Sequence, residues 1–202
     1  MKPMQNNTGN HMLNSCGNTL FNSPGKQSGL SMIEVLVTLL ILMVGLLGLA
    51  GLQTQGLRSE MESYQRVQAL ILLQDMVGRI NANRGNHAAY IASDIGTLGD
   101  GQLGNCTALV GQPRDKCEWS NALKGAAEKT GATSVGAMID ARGCITQISA
   151  ADQIYLVSVA WQGLGKTLAQ TTNLCGKDQI GGDDAQRRVV SLTLRIAKLS
   201  AI

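Results

Sequence analysis

No two cysteines stand in a Cys-x-x-Cys spacing, and one histidine, His87, follows the apolar run that starts near Leu30. Structural zinc sites and dithiol redox centres draw on such spacings, so neither is expected. Excess charge is scarce as well: 17 basic residues face 14 acidic ones, for a net charge of +3. Lys2 and Lys26 supply two of the basic residues, and residues 1–29 hold no acid. The remainder is close to neutral, with both signs interspersed as on a solvated surface. Binding through phosphate neutralisation needs a cationic excess, so no nucleic-acid partner is expected. Proline is missing from residues 30–112. Any bend across that stretch has to come from glycine.

Two short motifs fall short of a site. Residues 163–167, Gly-Leu-Gly-Lys-Thr, look like the tail of a phosphate-binding loop, but Ala160 stands where the motif needs its first glycine. They read as a turn after a strand. Asp178, Asp183 and Asp184 are oxygen-rich, yet their spacing matches no calcium loop, and Gly-Gly-Asp-Asp is good turn chemistry. His87 has no nucleophile motif near it and reads as a surface residue. No catalytic residue, metal or cofactor is expected.

What the chain does have is a long apolar run. Residues 35–52 are 18 positions without a charge, roughly 27 Å of helix at about 1.5 Å per residue, near the thickness of a hydrocarbon core. Residues 30–33 lengthen it. A secretory signal has a shorter apolar core, roughly 7–15 residues, and a small-residue cleavage site after it; neither is present. A lipoprotein reading at Cys16 fails because no apolar segment precedes that cysteine. The lysines on the N-terminal side place that end in the cytoplasm and the rest beyond the membrane. Glu34 does not fit a plain anchor. An acid at the centre of a membrane helix costs roughly 2.5–3.5 kcal/mol, and less near its end.

The residues around Glu34, Ser-Gly-Leu-Ser-Met-Ile-Glu-Val at 28–35, resemble the class III signal of type IV pilins and of type II secretion pseudopilins. The resemblance implies a leader ending at Gly29, removed by a prepilin peptidase that also N-methylates the new terminus, Leu30. Leu30 stands where the family usually has Phe. Glu34 becomes the fifth mature residue, a contact to the terminus of a neighbouring subunit during assembly. Opposite charges attract strongly in a low-dielectric bundle, and an unpaired one is costly there. The resemblance further implies an α+β fold, a long N-terminal helix packed on a small antiparallel sheet. It implies an inner-membrane precursor with its C-terminal domain in the periplasm, assembled with minor pilins and the major pilin. A minor pseudopilin is the alternative, and a signal-anchored periplasmic enzyme or binding domain a remote one.

Four segments are expected: a leader over 1–29, a membrane or filament-core helix over 30–52, its amphipathic continuation over 53–84, and an α+β domain over 85–202. Gly45, Gly48 and Gly51 suggest close helix packing or a flexible point. Leu57, Met61, Tyr64, Val67, Ile71, Val77 and Ile80 recur at helical spacing and read as a core face, with Gly85 as the stop. Residues 85–143 read as a long loop holding a short helix from Cys117, with Trp119 and Leu123 on its buried side. Strands are expected from Cys144, from Gln153 and from Arg187, the last with Val190, Leu192, Leu194 and Ile196 facing inward. Cys106, Cys117, Cys144 and Cys175 suit two disulfides in an oxidising compartment. Proximity in sequence favours Cys106–Cys117 and Cys144–Cys175.

Overall fold

The computed structural model describes Gly29 and residues 31–92, 96–101, 104–126, 129–131, 133–134 and 138–197. Lys2, Cys16, Lys26 and Leu30 lie outside the described residues. The chain divides after Leu47 into two compact units. Helix α1 runs Met32–Ala82. Within the first unit every described residue is exposed, its Leu, Ile, Val and Met side chains included.

The second unit has the order expected of an α+β domain. After α1 come a 3-10 helix (Arg84–Tyr90) and α2 (Gln112–Leu123), followed by β1 (Lys129–Thr130), β2 (Thr133–Ser134), β3 (Ile139–Ser149), β4 (Ile154–Gln162) and β5 (Arg187–Arg195). β3, β4 and β5 form one antiparallel sheet in sequence order. β4 is its middle strand and is buried on both faces. Tyr155, Val157, Val159 and Trp161 join the main core with α1 and α2. Ala160 packs on the other side with Cys144, Cys175, Ile180 and the partly buried Val189.

The helix face that meets the sheet differs from the one expected. Gln65, Ala69, Leu72, Leu73, Met76 and Ile80 are buried. Leu57, Met61, Tyr64, Val67 and Ile71 are each more than half exposed. The stripe is displaced by about one residue, a turn of roughly 100° on the helix. Apolar residues occupy both faces here, and periodicity alone cannot say which of two the sheet will cover. Ile80 and the partly buried Val77 lie where both readings agree.

Other boundaries moved for local reasons. α1 ends at Ala82, and Gly85 sits inside the 3-10 helix. α2 starts at Gln112, five residues before Cys117, because Gly111 at φ 63° turns the chain and Pro113 fits the first helical turn. Trp119 and Leu123 do face the core. Trp119 Nε1 donates to the Leu72 carbonyl at 2.7 Å. Its ring lies against Gly143, where an added Cβ would stand 2.2 Å from ring carbon; only glycine fits. The strand at Cys144 begins earlier, at Ile139. In β5, Leu194 is buried and Val190 packs on the core, but Leu192 is 43% exposed. β5 is an outer strand of the sheet, and neither core cluster reaches its middle.

Two disulfides close this unit, Cys106–Cys117 and Cys144–Cys175. The second holds the long connection between β4 and β5. Arg187 holds it again, with a side chain that is fully buried. Its Nη1 donates to the carbonyls of Asn173 at 2.8 Å and Cys175 at 3.0 Å, its Nη2 to that of Gln170, and its Nε to Asp184 at 3.2 Å. Residues 163–167 form the start of this connection, with Thr167 N–H donating to the Ala185 carbonyl at 2.7 Å. Lys166 pairs with Asp183 at 2.8 Å. Two of the three aspartates considered as calcium ligands, Asp183 and Asp184, are therefore engaged by cations.

Candidate functional site

The N-terminal end of α1 gathers Gly29, Ser31 and Glu34. Gly29 is exposed and lies outside the helix. Ser31 caps it: the Glu34 N–H donates to the Ser31 carbonyl at 3.0 Å and to its Oγ at 3.3 Å. Ser-x-x-Glu before an apolar run is the spacing of a capping box, a signal legible in the sequence at 31–34. Glu34 thus stands in the first turn of α1, where the helix dipole favours a negative charge.

Magnitudes separate two accounts of this carboxylate. A charge–dipole interaction at an exposed terminus is worth about 0.3–1 kcal/mol. That is comparable with the cost of an acid at the membrane interface, and well below the roughly 2.5–3.5 kcal/mol cost at its centre. Capping accommodates Glu34 at a helix end facing water. It supplies no cation for a helix that enters a dry bundle, and among the described residues Glu34 has no ion-pair partner. Gly45, Gly48 and Gly51 have no atom within 4 Å of an added Cβ, so they leave open flat spots on the helix.

Two further clusters contain groups of the kind used in catalysis. Arg79 bonds Asp75 at 3.0 Å, Asp115 at 3.2 Å and Glu118 at 2.8 Å. Arg114 holds the other Glu118 oxygen at 2.7 Å, and the Tyr90 hydroxyl donates to Asp115. The guanidinium of Arg79, then that of Arg114, hold the Glu118 carboxyl below its usual range; burial, then Asp115, push the Tyr90 hydroxyl up. Carboxylates so engaged tie α2 to α1. The sign follows from linkage: Glu118 stabilises the fold above its unfolded pKa, and this contribution is lost as pH falls through the lowered folded value. Glu118→Gln should therefore have a lower thermal midpoint than the wild type at neutral pH, and the two should converge as the wild-type midpoint falls more steeply below pH ~4.3; parallel acid limbs would contradict the pairing. His87 is not the free surface residue expected. It is half-buried, and its Nδ1 bonds the Tyr155 hydroxyl, which also accepts from Gln147 at 3.1 Å.

A helix long and apolar enough to cross a membrane, with a three-stranded antiparallel sheet in the same chain, makes an α+β fold consistent with that of a pilin. Residues 24–50 match the prokaryotic N-terminal methylation motif, and residues 51–108 match the family model described as Type IV pilin Tt1218. No curated protein and no solved structure matches the chain. The match to the methylation motif is thus followed directly by the match to the type IV pilin model, and the two together span residues 24–108. The motif implies processing by a prepilin peptidase and assembly with other pilins.

Proposed function

We propose that the chain is a minor pilin of the type IV pilus. In this reading Gly29 ends a cleaved leader, Leu30 becomes the methylated terminus, and Glu34 meets the terminus of a neighbouring subunit. Residues 30–52 form the membrane and then filament-core segment, 53–84 continue the helix, and 85–202 lie in the periplasm before assembly. The observation that carries it is the exposed apolar face of α1 at Leu57, Met61, Tyr64, Val67 and Ile71. These residues follow the uncharged run, where a simple anchor would present polar side chains to water. A subunit that packs helix against helix needs them apolar.

Finer features favour a minor subunit. Cys117 with Trp119, the Ala-Trp-Gln-Gly at 160–163 and the closing Thr-Leu-Arg-Ile at 193–196 resemble the type IV pilus modification protein PilV. Such a subunit would help start assembly with other minor pilins, and twitching, adhesion or DNA uptake would depend on it indirectly.

Mass spectrometry of protein from cells with the peptidase should show a chain beginning at N-methylated Leu30; an uncut terminus would sink the reading. Glu34→Ala should lower incorporation into sheared filaments more than about tenfold, as loss of a desolvated charge pair predicts, with the thermal midpoint of the domain unchanged. A deletion scored for both surface pili and exoprotein release separates this function from that of a type II secretion pseudopilin.

A further inference from the structure

We propose that the outer edge of β5 accepts an extended strand from a neighbouring pilin-type subunit, an inference that rests on the function just proposed. In the order β3-β4-β5, β4 occupies only one edge of β5. The far edge of the sheet is covered: Gly143 N–H donates to the Leu98 carbonyl at 2.7 Å, and Ala92 N–H to that of Ile145 at 2.9 Å. Among the described residues no backbone bond beyond the β4 ladder reaches residues 188–195. That leaves a long edge without proline, the kind native proteins usually blunt or use. Ser191, Leu192 and Thr193 are exposed in succession, so both faces of the sheet are open there.

The start of β5 is closed. The Gly165 carbonyl accepts from Arg188 at 2.9 Å and that of Gln170 from Arg187. Both contacts tie the connection to residues 187 and 188, and among the described residues no backbone hydrogen bond from it reaches residues 191–194. Alongside lies a groove of about 500 Å³ between α1 and β5, lined by Glu62, Arg66, Trp161, Leu168, Arg188 and Val190 among others. Arg66 is exposed and has no ion pair among the described residues, while Arg188 meets Glu62 at 3.4 Å. Leu168 is 93% exposed at the rim.

Edge and groove ask for one occupant. Rows of N–H and C=O groups are matched by another polypeptide backbone in extended form. Alternate side chains of such a strand would enter the groove, and the surplus of arginine there calls for an acid among them. The helix that lines the groove through Glu62 and Arg66 also carries the exposed apolar face assigned above to subunit packing. A neighbouring subunit is therefore the chain brought to this edge.

The test uses the full-length protein in its own cells, with a photoreactive benzophenone side chain at Thr193 and, as a geometric control, at the exposed Thr107. Thr193 should cross-link to a pilin-type subunit in sheared filaments, identified by peptide mass spectrometry, and Thr107 should not. Leu192→Lys, which places a charge on the edge, and Arg66→Glu should each lower the cross-link roughly tenfold with the domain's thermal midpoint unchanged. Processed, filament-borne protein without a Thr193 cross-link to a subunit would overturn the proposal. So would a yield untouched by both substitutions, or cross-linking to a protein of another class alone. A chain that keeps its leader and never enters filaments would instead sink the pilin reading, and this inference with it.

Discussion

Trp119→Ala should lower the unfolding free energy of the globular unit by about 3–5 kcal/mol, the cost of deleting a large buried aromatic side chain. Trp119 is completely buried and is the largest such side chain in the core. Three elements meet on it: its indole N–H is spent on the α1 carbonyl of Leu72, its ring fills the space left by Gly143 of β3, and its backbone belongs to α2. The vacated space is bounded by helix and strand backbone, which collapse poorly, so the cost should lie high in the range. Trp119→Phe separates packing from hydrogen bonding. It keeps most of the ring and loses the N–H donor, for about 1 kcal/mol. Urea unfolding of the two variants checks both figures; a loss below 1 kcal/mol for the alanine variant would mean that α2 does not anchor the core.

Arg187→Leu should cost about 3–5 kcal/mol, the penalty for removing one member of a buried charged network. The carbonyls of Gln170, Asn173 and Cys175 would lose their donor together, and Asp184 its cation. The Cys144–Cys175 bond would still tether the connection at one point, so loosening should concentrate on either side of it. Limited proteolysis should therefore cut within residues 163–186 well before any other site, with the sheet still folded. Arg187→Lys should fall between, because an ammonium cannot present the planar fork that spans these acceptors. Equal protease resistance in all three proteins would show that the disulfide alone holds the connection.

The parts most legible in the sequence were those set by local chemistry. An uncharged run without proline gave α1, and dense β-branched and aromatic residues gave β4 and β5 close to their observed bounds. The spacing of Gly29 and Glu34 marked the N-terminal end, where the methylation motif also matches. Long-range choices were not legible. Nothing local distinguishes Ala69 and Gln65, which face the core, from Met61 and Tyr64, which do not. The sheet selects the face through its own shape. Leu192 failed for a related reason, since alternation gives the side of a strand but not whether anything lies over it. Arg187 reads as one more surface cation until the carbonyls of a distant connection are seen around it.

Ser31 and Glu34, the residues that begin α1, both lie on the C-terminal side of the Gly29–Leu30 bond. A cut at that bond would discard nothing that starts the helix. The start of α1 would then be the same in precursor and product, and processing would act on it as a change of charge: one leader lost with its lysines, one amino group gained just ahead of the cap. Maturation would be timed by chemistry at the terminus, with no refolding step to wait for.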